Sequence, residues 1–543
     1  MFGNMMIKPL LISNLIEHAS LYHGDRKIFS KNLDDSMVET SWFEISENSK
    51  KYANVLKSLK MEKGDRIATI AWNNHRHIEA WYAISGSGMV CHTINPRLFP
   101  DQLIFIINDA NDKILMFDKT FAALIAKIKP HIKNVDFFIC MDSFDPEIKE
   151  ILPQVKFYDD LIRTQSSVFE WPQFDENTAS SLCYTSGTTG NPKGVLYSHR
   201  STLLHCFAAS LPDSINLSSQ EIVLPVVPMF HVNAWGVPYA AAMVGCSLVL
   251  PGSRLDGISL IELIDKYEIT LALGVPTIWQ TLLTHARTSN TKLKSLKRTI
   301  VGGAACPSTI IKEFKERYDC ETIHAWGMTE TSPLGTINQL KAKHGKLNEN
   351  EKTKLRLSQG RPPFGVSIRI TNEENATQTL LNDGSNIGYL QIQGHWVVEK
   401  YFKTESRLLT SDGWFDTGDM ASIDNDGYLN LSDRAKDLIK SGGEWISSSL
   451  LENIALENAG VALVAAIAAK HPKWDERPIL IVKKSSENSI TEEQLLDFFQ
   501  DKVAKWQIPD KVIFLDSIPI GGTGKIVKKD LREKYGNVLL NDF

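Results

Sequence analysis

The run YTSGTTGNPKG at residues 184–194 concentrates glycines, hydroxyl side chains and one lysine in a short stretch. Gly187, Gly190 and Gly194 permit the positive φ angles at which consecutive backbone N–H groups converge. Hydroxyl groups and the Lys193 ammonium add donors that suit phosphate oxygens. The hydroxyl donors are Thr185, Ser186, Thr188 and Thr189. The run therefore predicts a phosphate-binding loop, with a polar hairpin turn as the alternative.

A Walker A loop is excluded by the residues around the lysine. That motif places glycine directly before its lysine and serine or threonine directly after it. Here Pro192 and Gly194 flank Lys193. The preceding residues, roughly 180–184, predict a strand that leads into the loop, so the phosphate chemistry must be of another kind.

Length and composition narrow the class of protein. A chain of 543 residues with 43% hydrophobic content is expected to form two or more domains. The net charge of −5, with dispersed lysines, makes nucleic acid an unexpected partner. Seven scattered cysteines without a C-x-x-C pair suggest neither disulfides nor structural zinc, and a reducing cytoplasm fits best.

Hydropathy predicts no membrane span and no leader peptide. The most apolar stretch, at 236–252, contains Pro238 and Gly245 and favours a buried helix followed by a strand. The first twenty residues lack a basic start and a cleavage site, and their apolar spacing favours an amphipathic helix.

The order of predicted elements gives an α/β fold. Short β-branched runs at 65–72, 113–118 and 135–140 alternate with helical patterns, which is typical of layered α/β structure with mostly parallel sheets. From about residue 366 the strands are separated by DG turns, which predicts a small β-rich module. The last hundred residues predict a compact α+β unit, with a long amphipathic helix at 491–506.

Seven strings in order resemble the adenylate-forming superfamily of acyl-CoA synthetases, luciferases and peptide-synthetase adenylation domains. They are YTSGTTGNPKGV (184–195), MFHVNAWG (229–236), GGAAC (302–306), AWGMTE (325–330), FDTGD (415–419), DRAKDLIKSGGEWIS (433–447) and GGTGKI (521–526). The resemblance implies a large N-terminal domain of layered α/β subdomains with the β-rich module, at 1–434. A small mobile α+β C-terminal domain is implied at 435–543.

Within the superfamily, the stretch AWNNHRHIEAWYAISGSGMVCHTINPRLFPDQL and the phrase WGMTETSP look most like bacterial medium-chain acyl-CoA synthetases. That group includes enzymes that act on 3-methylmercaptopropionate. The resemblance implies a ligase that uses ATP, Mg²⁺ and coenzyme A to convert a short- or medium-chain acid into its CoA thioester through an acyl-adenylate. Many relatives form homodimers, so a homodimer is an expectation as well.

The resemblance also assigns roles in adenylate formation. The glycine-rich loop would hold the β- and γ-phosphates, Glu330 the magnesium ion, and Asp419 the ribose, with Arg434 assisting. The residues implied to bind the nucleotide are Thr185, Ser186, Gly187, Thr188, Thr189, Gly190, Lys193, Gly303, Ala304, Ala305, Ala325, Trp326, Gly327, Met328, Thr329, Asp419 and Arg434. Those implied to act in catalysis are Lys525, Glu330, Thr185 and His231, with Lys525 bridging the carboxylate and the α-phosphate.

Thioester formation is implied to need a second domain position, reached by rotation about Lys436. The residues that would then face the site are Lys440, Ser441, Gly442, Gly443 and Glu444. The acyl group is implied to lie among His231, Trp235, Gly302, Gly303, Met328 and Pro333. The Trp235 indole would shorten the tunnel, and His231 would gate or orient the carboxylate, since a carboxylate nucleophile needs no general base.

Several alternatives stay open from the residues alone. Glu330 also suits the first turn of a helix, Asp419 a loop cap, and the GGAA string a tight strand turn. At the level of function, the acceptor thiol could belong to a carrier protein, a luciferase-like oxygenase would share the same strings, and a non-catalytic relative would bind acyl groups or nucleotide. Lys193, Glu330, Asp419 and Lys525 are all present, which disfavours the last alternative.

Overall fold

The computed structural model describes residues 1, 3–185, 191–372, 375–434, 437–441, 444–485, 488–500, 502–521 and 526–541. The helices are α1 (Ile12–His23), α2 (Trp42–Ser58), α3 (His75–Gly86), α4 (Pro100–Ala110), α5 (Ala122–Ile128), α6 (Pro146–Ile151), α7 (Tyr158–Arg163), α8 (His199–Ser210), α9 (Val232–Trp235), α10 (Val237–Val244), α11 (Gly257–Lys266), α12 (Pro276–Thr288), α13 (Ser308–Tyr318), α14 (Glu349–Arg356), α15 (Ser448–Leu456), α16 (Glu492–Asp497) and α17 (Lys528–Tyr535).

The strands are β1 (Lys27–Lys31), β2 (Met37–Ser41), β3 (Arg66–Ile70), β4 (Val90–Thr93), β5 (Ile114–Phe117), β6 (Phe137–Cys140), β7 (Lys156–Phe157), β8 (Ala179–Tyr184), β9 (Gly194–Ser198), β10 (Ile222–Pro225), β11 (Ser247–Leu250), β12 (Leu271–Gly274), β13 (Arg298–Val301), β14 (Glu321–Gly327), β15 (Leu334–Ile337), β16 (Val366–Thr371), β17 (Gly388–Gly394), β18 (Phe415–Ile423), β19 (Leu429–Arg434), β20 (Ile439–Ser441), β21 (Glu444–Ile446), β22 (Val461–His471), β23 (Asp475–Lys484) and β24 (Lys511–Phe514).

Two mostly parallel sheets form the large N-terminal part. In the described residues the first sheet has the order β7-β6-β5-β3-β4-β8-β9, and the second has the order β15-β14-β13-β12-β10-β11-β1-β2. Strands β4 and β5 are buried along their whole length, as continuous apolar runs in parallel sheets are. The α/β fold expected from the alternating pattern is confirmed.

A layer of helices separates the two sheets. Helices α1, α2, α3, α8 and α10 share one apolar core with strands of both sheets, and the buried rings of Trp42 and Trp81 belong to it. Helices α4, α5 and α6 cover the outer face of the first sheet, and α11, α12 and α13 cover that of the second. The predicted helix and strand at 236–252 are α10 and β11.

Two smaller sheets follow. Strands β16 to β19 form an antiparallel sheet in sequence order, as the predicted β-rich module requires. Strands β20 to β24 form the sheet of the C-terminal part, with α15, α16 and α17 packed against it. The boundary predicted between residues 434 and 435 adjoins residues 435–436, which lie outside the described residues, and it stays a prediction.

One predicted helix is shorter than expected. The pattern at 491–506 predicted a single amphipathic helix, whereas α16 ends at Asp497. Turns centred on Phe499 follow, so that both Phe499 and Val503 reach the apolar cluster of the C-terminal sheet. Packing of these two side chains outweighs the local helical pattern.

Two other expectations concerned the pairing of the cysteines and the presence of membrane-spanning segments. All seven cysteines are free and buried. Within the described ranges, no helix combines the length and the apolarity needed to cross a membrane.

Candidate active site

The glycine-rich run joins two antiparallel strands. Tyr184 in β8 pairs with Gly194 in β9, and just beyond them the Thr185 N–H donates to the Lys193 carbonyl at 2.9 Å. The Lys193 N–H in turn donates to Thr185 Oγ1 at 3.3 Å. The predicted loop residues Ser186, Gly187, Thr188, Thr189 and Gly190 lie outside the described residues. The base of the loop is therefore a closed hairpin, a geometry that both the predicted phosphate loop and the plain hairpin share.

The base of this hairpin is fixed by its neighbours. The Tyr184 hydroxyl donates to Asp109 Oδ2 at 2.5 Å, which ties β8 to the end of α4. The Phe402 N–H donates to the Gly194 carbonyl at 2.8 Å, and a Cβ at Gly194 would lie only 3.0 Å from the Phe402 Cβ. Glycine at 194 therefore allows the chain around residue 402 to lie directly on the start of β9.

The two predicted adenine walls lie side by side. The first wall follows the carboxyl end of β13 and the second forms the carboxyl end of β14, and these two strands are parallel and paired at Val301 and His324. In open α/β sheets this edge is where ligands bind. Gly303 has a φ of 79°, and Ala304 and Ala305 after it are exposed. The GGAA string is thus an open bend that presents small side chains.

The Trp326 ring lies inside the protein. Its side chain is 7% exposed and packs in the core of the β-rich module, against Gly335. Its Nε1–H donates to Asp419 Oδ2 at 2.9 Å. Asp419 lies in β18 opposite Arg434 in β19, and the Arg434 side chain is outside what the structure describes. Trp326 therefore orients the carboxylate that is predicted to bind ribose.

Glu330 and Thr329 lie in one helical turn, Thr329–Thr331. Glu330 is 6% exposed, and its Oε1 accepts a hydrogen bond from the Tyr401 hydroxyl at 2.7 Å. The Tyr197 hydroxyl donates to the Thr329 carbonyl at 2.7 Å. Lys193 Nζ lies 4.9 Å from the centroid of the Tyr401 ring. The structure therefore brings the predicted phosphate lysine and the predicted metal ligand to the same tyrosine.

Both tyrosines are neutral donors in this arrangement. Burial raises the pKa of the Tyr401 hydroxyl, and the negative charge of Glu330 raises this pKa further. Burial also raises the pKa of Tyr197. No sequence pattern pointed to Tyr197 or Tyr401, because neither belongs to a run with recognisable spacing, and only the fold places them here.

The predicted acyl pocket contains an unusual backbone segment. Residues Val232 to Trp235 all have positive φ angles, from 46° to 57°, so α9 is a left-handed turn. Each such residue costs about 1–2 kcal/mol. Asn233 holds the turn in place, because its Nδ2 donates to Ser181 Oγ at 2.9 Å and its Oδ1 accepts from Thr93 Oγ1 at 3.3 Å. No sequence pattern singled out Asn233.

The turn places two predicted side chains. A Cβ at Gly302 would lie 3.0 Å from Trp235 Cη2, so the indole lies across Gly302. His231 borders a narrow cavity beside strand β8. The residues that line this cavity include Thr93, Asn95, Cys183, Tyr184, Phe230 and His231. The Pro333 carbonyl accepts a hydrogen bond from the Met328 N–H at 3.2 Å, which closes the loop of residues 328–333.

Three of the predicted CoA-side residues, Lys440, Ser441 and Glu444, lie in the C-terminal sheet. Lys440 and Ser441 belong to β20, where the Lys440 N–H donates to Glu476 Oε2 at 2.9 Å and Ser441 Oγ accepts from Arg477 at 3.2 Å. Glu444 begins β21, and its backbone pairs with Ser441. The predicted residues Lys436, Gly442, Gly443 and Lys525 lie outside the described residues.

Comparison with known proteins gives a consistent result. The family described as "AMP-binding enzyme" matches residues 16–402, and the "AMP-binding enzyme C-terminal domain" matches residues 450–525. The chain is 53% identical over 539 residues to 3-methylmercaptopropionyl-CoA ligase of Ruegeria lacuscaerulensis, covering 99% of this chain and 100% of that protein. It is 51% identical to medium-chain-fatty-acid–CoA ligase of Ectopseudomonas oleovorans, with 99% and 98% coverage. The crystal structure of the anthranilate CoA ligase AuaEII superposes with a TM-score of 0.86 at 22% identity, covering 99% of each chain.

The fold and these matches define the class as ATP-dependent acid–CoA ligases that work through an acyl-adenylate. The chain belongs to the AMP-binding enzyme family, as the seven strings predicted. It is therefore an AMP-forming enzyme whose substrates include a carboxylic acid, ATP and CoA.

Proposed function

We propose that the acid is a short- or medium-chain one and that 3-methylmercaptopropionate is among those accepted. The observation that carries this proposal is the Trp235 indole lying across Gly302, where the acyl group is predicted to run. A bulky ring at this point shortens the space for a chain. The two relatives described above are named for acids of this kind.

In the first half-reaction, a carboxylate oxygen attacks the α-phosphorus, and pyrophosphate leaves. Lys193 and the loop before it stabilise the departing phosphates, and Lys525 holds the carboxylate against the α-phosphate. Asp419 accepts hydrogen bonds from the ribose hydroxyls, with Trp326 holding its other oxygen. In the second half-reaction the CoA thiolate attacks the carbonyl carbon and AMP leaves, after rotation at Lys436 has brought the strand of Lys440 to the site.

The donor set at Glu330 fits a magnesium ion that arrives with ATP. Among the described residues, no group of three or more His, Cys, Asp or Glu side chains is placed to hold a metal. Magnesium usually keeps several waters and binds one or two carboxylates together with substrate phosphates. A single carboxylate at Glu330, near Lys193, meets that requirement, and the ion would neutralise charge on the phosphate oxygens.

The substrate is tested with purified protein, ATP, magnesium and a panel of short, medium, long, aromatic and methylthio-substituted acids. AMP and acyl-CoA should form with CoA for the short, medium and methylthio acids. Preference for long or aromatic acids would contradict the proposal. Pyrophosphate release without any CoA thioester would instead indicate a carrier-protein acceptor.

Replacing Trp235 should change chain-length preference. We expect Trp235→Gly to raise kcat/KM for long relative to short acids by about tenfold or more, since each methylene in an apolar pocket is worth about 1–3 kcal/mol. Glycine also suits the φ of 57° at this position, so the variant relieves backbone strain. Trp235→Phe, which retains a ring, is the control and should shift the profile less. An unchanged profile in the glycine variant would contradict this placement of the acyl chain.

Two further proposals concern location and assembly. The seven free, buried cysteines support a reducing compartment such as the cytoplasm. The homodimer rests on the resemblance, and sedimentation of the purified protein at two concentrations tests it.

A further inference from the structure

Tyr401 lies between two groups of opposite charge. Its hydroxyl donates to Glu330 Oε1 at 2.7 Å, and its ring faces Lys193 Nζ at 4.9 Å. A phenol that donates to a carboxylate fixes the position of one oxygen, and an aromatic face attracts an ammonium. One side chain therefore contacts both groups that are proposed to meet the triphosphate.

The chain around Tyr401 is fastened on both sides. The Val398 N–H donates to the Glu330 carbonyl at 2.8 Å. The Phe402 N–H donates to the Gly194 carbonyl, next to Lys193, also at 2.8 Å. Residues 398–402 thus bridge the turn that contains Glu330 and the strand that follows Lys193. A rotation of either element would have to move this bridge.

We propose that Tyr401 is a positioning residue that sets the Glu330 carboxylate and the Lys193 ammonium at the separation required by magnesium-bound ATP. The hydroxyl holds Oε1, so that Oε2 would be the oxygen left to hold the metal, and the ring keeps the ammonium on its face. This inference depends on the proposed metal role of Glu330 and the proposed phosphate role of Lys193. Removal of a group that orients a metal ligand usually lowers metal affinity or activity about 10–100-fold.

The first test separates the hydroxyl from the ring. Tyr401→Phe should raise the magnesium concentration that gives half-maximal pyrophosphate release by about tenfold or more. Calorimetric titration with a non-hydrolysable ATP analogue in excess magnesium should show weaker binding, whereas AMP, which lacks the β- and γ-phosphates, should bind as it does to the wild type. Thioester formation from acyl-adenylate supplied ready-made should not change. A purely structural defect would lower all of these together.

A matched control uses the same chemistry elsewhere in the chain. The Tyr158 hydroxyl donates to Glu79 Oε2 at 3.0 Å, and both residues are buried. Tyr158→Phe therefore removes a comparable bond outside the site and should leave the magnesium dependence unaltered. If Tyr401→Phe behaves like this control, the inference is overturned.

Glu330→Gln distinguishes failure of the inference from failure of the proposed function. If Glu330→Gln leaves the magnesium dependence unchanged, the metal role of Glu330 is wrong. If Glu330→Gln shifts it and Tyr401→Phe does not, only the positioning role of Tyr401 is wrong. When both shift it, the double variant should resemble Glu330→Gln alone, because Tyr401 acts through that carboxylate. Additive effects would show that Tyr401 acts independently and would overturn the inference.

Discussion

Gly327→Ala is expected to lower the rate of adenylate formation by about a hundredfold or more, a loss of about 2.7 kcal/mol in transition-state stabilisation. A Cβ at this position would lie 1.7 Å from the Pro333 carbonyl oxygen, which is far inside any contact distance. That oxygen also accepts hydrogen bonds from the Met328 N–H and the Thr331 hydroxyl. The loop that contains Glu330 would therefore have to move as a whole.

The measurement combines pyrophosphate release with thermal unfolding. Overpacking of this kind usually costs about 1–3 kcal/mol of stability, so the variant should unfold at a lower temperature and still fold. Gly345→Ala is the matched control, because a Cβ there meets nothing within 4 Å. The control should retain activity within about twofold. Wild-type activity in Gly327→Ala would show that the loop adapts and that its position is not critical.

Asp419→Ala is expected to lower kcat/KM for ATP by about a hundredfold or more. A hydrogen bond to a charged group contributes about 1.5–3 kcal/mol, and the proposed carboxylate accepts two from the ribose. In the wild type the buried Trp326 Nε1–H donates to Asp419 Oδ2 at 2.9 Å. The same change therefore leaves this N–H without its acceptor. Steady-state kinetics with varied ATP give the size of the loss.

Two deoxynucleotides identify the cause of the decrease in kcat/KM that is expected for Asp419→Ala. The wild type should discriminate against 2′-deoxy-ATP and 3′-deoxy-ATP, and Asp419→Ala should lose most of that discrimination. Asp419→Asn, which keeps an acceptor for Trp326, should be intermediate. If Asp419→Ala discriminates as the wild type does, the carboxylate does not bind the ribose, and the loss comes from displacement of Trp326.

The left-handed turn at 232–235 shows how the fold sustains a strained segment at its proposed acyl pocket. Strain of this kind persists only where the surroundings over-determine the conformation. Asn233 supplies that constraint through Ser181 and Thr93, and both partners belong to strands of the first sheet. The hydrogen bonds of Asn233 therefore connect the proposed acyl pocket to β8, the strand that leads into the predicted phosphate loop.

The sequence by itself predicted the α/β layers, the β-rich module and the family, because these depend on local patterns and on short strings. Apolar runs of four or five residues are enough to specify buried parallel strands such as β3 and β5. The glycines and alanines of GGAA predicted either an adenine wall or a tight strand turn, and the φ of 79° at Gly303 shows a bend that suits both. The prediction of a single helix over 491–506 was wrong, because the packing of Phe499 decided where α16 ends.

Only the tertiary structure placed Tyr401 on Glu330, Trp326 on Asp419 and Asn233 on Ser181. The partners in these pairs are 71, 93 and 52 residues apart along the chain. Local spacing carries no information about such contacts, since they depend on which strands become neighbours in a sheet and on which way each side chain points. The sequence therefore determined which chemical groups the protein has, and the packing of its sheets decided which of them meet.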